Sequence, residues 1–211
     1  MRVRAAPGLV VALALLLTAC ATPSPPAPKV PERCLDRLAT YDMDFAPAPD
    51  FSSGGCTVRN AVKVSRFGRA KLSSPALMTC ALAEKLSAFE GVFLQPAAER
   101  ILHSPVAVIH HYGTYACRRR TGGTQMSEHA KANAIDIGIF ELENGDKVSV
   151  TRHWNGAGAK SEFLKSIGQG ACTQFKGVLG PDSDKAHYDH FHLDMGTWAF
   201  CRLKFTDPRK R

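Results

Sequence analysis

Four of the eight histidines in this chain fall into two short clusters that also carry acids. The first is Ser127-Glu128-His129, with Asp136 following after six intervening residues; the second is His187-Tyr188-Asp189-His190-Phe191-His192-Leu193-Asp194. Imidazole nitrogens and carboxylate oxygens are what a catalytic zinc ion takes, with three protein ligands and one position kept for water. His129, Asp136 and His192 form the economical set. A metal held there acidifies its water and polarises a carbonyl, which is amide hydrolysis without a protein nucleophile. A general base must then stand near that water. Asp189, three residues before His192, is one candidate, and His187 and His190 are the others. His190 is also placed to orient the water or to stabilise an oxyanion. Serine chemistry finds no support, because no Gly-x-Ser-x-Gly elbow is present.

The elements that would position these groups are strands. Phe191, Leu193 and Met195 alternate with His190, His192 and Asp194, the period-two pattern of a half-buried strand, so both imidazoles share one face. Ala134 to Phe140 alternates likewise, with three isoleucines on one face and Asp136 on the other. Two such strands side by side would build a metal pocket. Upstream, Cys56 to Val58 and Ala61 to Val64 read as short β pieces. Ser74-Pro75 reads as an N-cap with proline at the first helical position. Met78, Leu82, Leu86 and Phe89 then follow at steps of three and four and predict a core-packed helix over residues 75 to 90. A shorter helix is expected over Pro96 to Leu102. Val106 to Tyr112 reads as a strand, with His110 and His111 on opposite faces in core or surface roles. A hairpin turn at Glu143 to Asp146 leads into Lys147 to Val150, and residues 160 to 171 read as helical, with Phe163, Leu164 and Ile167 on one side. His103 and His153 read as ordinary surface histidines. The expected class is one α+β domain: a mostly antiparallel sheet flanked by helices around the zinc cleft.

The N-terminus sets the location. Arg2 and Arg4 precede a short apolar run, Leu9 to Leu17, and Leu17-Thr18-Ala19-Cys20 matches the cleavage and lipidation box of bacterial lipoproteins. Residues 1–19 are thus expected to be removed. Lipidated Cys20 would anchor the chain to a membrane facing the periplasm, and Ala21 after it favours the outer membrane. Residues 20–33 form a proline-rich tether, and residues 34–211 suffice for one folded domain. Seven cysteines less Cys20 leave six: Cys34, Cys56, Cys80, Cys117, Cys172 and Cys201. In an exported chain an even number reads as three disulfides, with the pairing open. Without Arg2 and Arg4, 25 Lys and Arg face 19 Asp and Glu, net +6. A basic balance suits an anionic neighbour, and export excludes nucleic acid and leaves an acidic wall polymer or anionic lipid.

The segment Ser127 to Asp136 resembles the Ser-x-His-x-x-Gly-x-Ala-x-Asp motif of the lysostaphin-type, D-alanyl-D-alanine carboxypeptidase and hedgehog-like zinc peptidases, with Ala132 in place of the glycine. His187-x-x-His190-x-His192 is similar to the ending of the penicillin-insensitive murein endopeptidases, and Asp189 occupies the place of the general-base acid in the carboxypeptidase branch. From about Cys34 to Cys201 the closer likeness is to the bacterial extensin-like C-terminal-domain family. These resemblances imply a peptidase-like fold, a zinc cofactor and a cell-wall setting. The segment Tyr112 to Arg118 is similar to the carboxypeptidase strand end that carries a substrate-anchoring arginine. That implies one of Arg118, Arg119 or Arg120, with Arg118 the first choice, as a binder of a peptide carboxylate, and Ser127 of the first motif also at the substrate. The expected function is therefore an exported zinc metallopeptidase that hydrolyses amide bonds in peptidoglycan stem peptides or cross-links. The alternative is a cell-wall-binding or scaffold lipoprotein that keeps the metal site without turnover.

Overall fold

The computed structural model describes residues 32–205. The expected signal peptide, Cys20 and the tether up to residue 31 lie outside the described residues. The chain begins with α1 (Glu32–Leu38), then strands β1 (Met43–Pro47), β2 (Phe51–Ser53), β3 (Cys56–Val58), β4 (Ala61–Phe67) and β5 (Ala70–Thr79). Helix α2 (Cys80–Phe89) runs through a π-helical turn, Glu90–Leu94, into α3 (Gln95–Leu102), and β6 (Val106–Gly113) follows. After the 3-10 turn Glu128–Lys131 come β7 (Ala134–Leu142), β8 (Lys147–Ser149), α4 (Val150–His153), α5 (Ala159–Gln174) and β9 (Gly177–Leu179). A second 3-10 turn, Lys185–His187, leads into β10 (Phe191–Asp194) and β11 (Phe200–Cys201).

Nine strands make one sheet in the order β1-β4-β5-β6-β7-β10-β9-β11, with β8 added to β7, while β2 and β3 form a separate hairpin. Among the described residues only the β5–β6 and β9–β11 pairs run parallel. The domain is α+β with a mostly antiparallel sheet, as its residue pattern predicts. Ile135, Ile137, Phe140, Phe191 and Leu193 share a buried cluster with Leu82, Leu86 and Phe89 of α2 and with Phe163, Leu164 and Ile167 of α5. One face of the sheet is therefore sealed by helices, and each of these side chains contributes about 1.5–3 kcal/mol by leaving water. Alternation along β7 and β10 then turns Asp136 and His192 to the other face.

The helix expected over residues 75 to 90 starts later. Ser74 and Pro75 lie inside β5, and the cap is Thr79, whose hydroxyl accepts from Leu82 N at 3.3 Å. The proline is tolerated because the β4–β5 register slips there: Val64 pairs with Ala76, but Arg66 pairs with Lys71. Ser73, Ser74 and Pro75 bulge out exposed, where no ladder donor is needed. Met78, the first residue of the helical spacing, is buried from the strand instead. A smaller correction falls at Val150, which opens α4 and does not extend β8.

Three disulfides close the domain: Cys34–Cys80 joins α1 to the start of α2, Cys56–Cys117 joins β3 to the loop after β6, and Cys172–Cys201 joins α5 to β11. They span 46, 61 and 29 residues, and loops of such length are worth about 3–4 kcal/mol each through the entropy removed from the unfolded chain. Cys56–Cys117 bears on the site, since it ties down the start of the loop that ends at His129.

Candidate metal centre

Strand register brings two of the predicted ligands together. His192 on β10 is the direct cross-strand partner of Asp136 on β7, between the pairs Phe191–Ile137 and Leu193–Ile135 that face the core. The third ligand arrives from the loop. Ser127 caps the 3-10 turn, its hydroxyl accepting from His129 N at 3.3 Å, and Ala132 ends the turn at φ 53° in the left-handed region. A glycine adopts that φ more readily, yet Ala132 is fully buried and its amide donates to the carbonyls of Glu128 and His129. The turn therefore holds its shape with alanine where the resembling motif has glycine.

The three groups converge closely. His129 Nε2 lies 3.1 Å from Asp136 Oδ2 and 3.1 Å from His192 Nδ1, and His192 Nδ1 lies 2.9 Å from Asp136 Oδ1. Tetrahedral neighbours around an ion held at about 2.0–2.1 Å sit roughly 3.3 Å apart, so the spacing suits a small divalent cation. The outer nitrogens are already engaged. His129 Nδ1 donates to the Thr114 carbonyl at 3.2 Å, and His192 Nε2 donates to Asp194 Oδ2 at 3.1 Å. In that tautomer both inward nitrogens carry lone pairs, and with the Asp136 carboxylate all three converging groups are acceptors. Such a cluster requires either an extra proton or a cation, and carbonyl and carboxylate partners on the outer nitrogens are what metal-ligating histidines use. His129, Asp136 and His192 could together hold a metal ion.

Electrostatics around the cluster agree. Burial alone would raise the Asp136 carboxyl, but the hydrogen bonds from His129, His190 and His192 hold it far below the usual carboxylate range. Burial would lower His192, but Asp136 and Asp194 push it up to about 9. His190 is raised on the same balance, with Asp136 and Asp189 outweighing burial. Without metal, therefore, the cluster holds a proton where a cation would sit.

The three base candidates separate by their bonding. His190 lies just before β10, its Nδ1 2.8 Å from Asp189 Oδ1 and its Nε2 3.4 Å from Asp136 Oδ1. Both of its nitrogens face carboxylates, so the ring is an N–H donor on the rim of the cluster. Asp189 is committed to that ring. His187 is 5.3 Å from the His190 ring and 5.6 Å from the His192 ring, with Nδ1 bonded to Asp184 Oδ1 at 2.7 Å. Its Nε2 has no hydrogen-bond partner among the described residues, and burial, against the pull of Asp184, holds its pKa below the ordinary histidine value. Tyr112 stands edge-on to His190 at 5.7 Å, its phenol covering Gly138 so closely that a Cβ there would collide with it. Burial, with Asp189 and Tyr188 nearby, raises that phenol.

The predicted substrate residues fare differently. Ser127 is buried in its capping role. Arg118 is exposed, and its carbonyl accepts from Ser127 N at 3.1 Å. Within the Arg118–Arg120 run it is Arg120 that reaches inward, 3.8 Å from the buried Glu128, and its charge is felt at Asp194. The other histidines stand apart from the cluster: His110 pairs with Glu141 at 2.8 Å, His111 bonds the Ser74 carbonyl at 2.9 Å, and His153 bonds the Ser149 carbonyl at 3.1 Å. Two contributors escape a motif search, Thr114 and Asp194. Asp194 had a signal, as the third polar residue on the face shared by His190 and His192. Thr114 had none, because its backbone carbonyl does the work.

Residues 32–202 match the family model described as extensin-like protein C-terminus. No curated protein and no solved structure matches the chain.

Proposed function

This chain belongs to the extensin-like C-terminal family, and on that premise we propose that it is an exported, membrane-tethered zinc peptidase that hydrolyses amide bonds in peptidoglycan stem peptides or cross-links. The observation that carries the reading is the convergence of three acceptors, His129 Nε2, Asp136 and His192 Nδ1, with both outer imidazole nitrogens already bonded. The choice of amide bonds and of peptidoglycan is supported by the likeness of Ser127 to Asp136 and of His187 to His192 to wall-peptidase motifs, and by the lipoprotein-like N-terminus.

His129, Asp136 and His192 would hold the ion. When bound, zinc supplies a Lewis acid and brings the pKa of its water near neutrality. The chain's own residues divide the proton handling. His187, fixed through Nδ1 by Asp184, accepts the proton of the attacking water at Nε2. His190, fixed through Nδ1 by Asp189, points Nε2–H at the rim of the cluster, where it stabilises a developing oxyanion. Arg120 is placed to hold a peptide carboxylate through its planar fork. Thr114, Asp194 and the Ser127 cap keep the two imidazoles in their tautomer and orientation.

The purified, oxidised chain is expected to hold about one zinc per molecule. His129→Ala should lose the metal and muropeptide cleavage together. Wild-type cleavage by this variant would overturn the reading.

A further inference from the structure

A cavity of about 850 Å³ opens behind the turn that carries His129. Ala130, Lys131 and Asn133 form part of its wall, but none of His129, Asp136 or His192 lines it. Its volume is that of a ligand cleft, typically about 300–1,000 Å³. Four cationic side chains, Arg33, Arg37, Arg59 and Lys131, stand on the wall and no acidic one does. Arg37 is paired with Glu84 at 3.1 Å and Lys131 with Glu128 at 2.9 Å, while Arg33 and Arg59 have no acidic partner among the described residues. Helix α2, ten residues long, begins on the same wall at Cys80 and Ala81, so its partial positive charge adds to theirs. Between the cations the wall mixes apolar surface, from the Cys34–Cys80 disulfide and Met126, with the uncharged polar side chains of Thr57, Asn60, Thr79 and Asn133.

We propose that this groove binds an acidic peptide, with carboxylates on Arg33 and Arg59 and small aliphatic side chains on the disulfide and Met126. Two guanidinium forks without an acidic partner among the described residues match carboxylates bidentately. The mixed wall between them suits a peptide, whose backbone amides meet the Thr and Asn side chains and whose small aliphatic groups meet Met126 and the disulfide, none of which an inorganic anion offers. The proposal stands on the groove alone and does not require the imidazole cluster to be catalytic.

The test is calorimetric titration of the full oxidised chain with a short alternating glutamate–alanine peptide at low salt. The R33A/R59A double variant should bind about tenfold more weakly. R100A/R202A, which removes the same charge from exposed sites elsewhere, should change binding less than about twofold. Binding should weaken in high salt, persist in His129→Ala, and be lost when glutamine replaces glutamate in the peptide. Equal losses in the two double variants would assign the effect to net charge and overturn the proposal. So would equal binding of the glutamine peptide, full displacement by inorganic phosphate at the peptide's own concentration, or tighter retention on anionic lipid vesicles than on the peptide. Loss of wall cleavage in His129→Ala with peptide binding intact separates this groove from the metal reading.

Discussion

Glu90 in the π-helical turn and Asp136 on β7 are both carboxylates drawn out of water, yet their surroundings are opposite. Glu90 Oε1 accepts from Arg69 N at 3.0 Å, Ala70 N at 3.3 Å and Gln95 Nε2 at 2.8 Å. Gln95 is in turn fixed by the carbonyl and the amide of Val106, both at 2.9 Å. Each of these neighbours of Glu90 is an N–H donor, and Gly68 packs so close that a Cβ there would strike the carboxylate. Asp136 instead faces His129 Nε2 and His192 Nδ1, whose rings donate elsewhere, and only His190 Nε2, at 3.4 Å, stands beside it as a donor. A carboxylate ringed by donors is complete within the chain and serves the fold. One that faces lone pairs is complete only with an added proton or a cation, and on the proposed reading the cation is the occupant.

The contrast can be broken at either end. The largest effect is expected at the cluster: His129→Ala should weaken zinc binding by at least about 1,000-fold, roughly 4 kcal/mol, with the fold intact by circular dichroism. Glu90→Ala should do the reverse. It leaves the buried Ala70 amide and the part-buried Arg69 amide without their acceptor, costing about 2–4 kcal/mol in denaturant unfolding, while zinc affinity, read by competition with a chelator, stays as in the parent. Asp194→Asn should fall between, lowering zinc affinity tenfold to a hundredfold, the usual range for an outer partner of a ligating histidine. Nitrogen NMR of His192 should show the proton no longer fixed on Nε2.

The last effect is in pH and is the smallest per unit step. His192 is raised above its unfolded value to about 9. In the metal-free chain its contribution to stability is therefore fully present below about pH 6.5 and is lost as pH rises through about 9. Zinc must displace that proton, so zinc affinity should rise up to about tenfold per pH unit over the same window and then level off. The rise in Tm on adding zinc should accordingly grow from pH 6.5 to 9. A flat Tm difference would mean that His192 is not a ligand.

Much of this was legible in the chain. Alternation marked β7 and β10 and placed Asp136 and His192 on one face, because side chains in a strand have a fixed period and the core takes Ile135 and Ile137. It fails at Ile139, which stays half-buried while Phe140 enters the core where the β6–β7 register shifts. Cysteine parity gave three disulfides. Their pairing was not legible, since it depends on which loops the sheet brings together. The helix expected from Ser74-Pro75 failed because cap and proline signals are local, while the bulge that admits Pro75 is set by pairing with β4. Arg118 was favoured over Arg120 for a similar reason. A run of three arginines gives no phase in a loop, and only the fold shows which one approaches Glu128. Likewise the different surroundings of His187 and His190 depend on Asp184 and Asp189, whose approach no spacing rule predicts.

The most direct test of the account is to incubate the zinc-loaded chain with purified peptidoglycan and analyse the released fragments by mass spectrometry. The account predicts new fragments with one amide bond opened and one water gained, absent with His129→Ala and with metal-stripped protein. Tightly bound zinc with wall fragments unchanged would contradict it and leave a metal-holding wall protein without turnover.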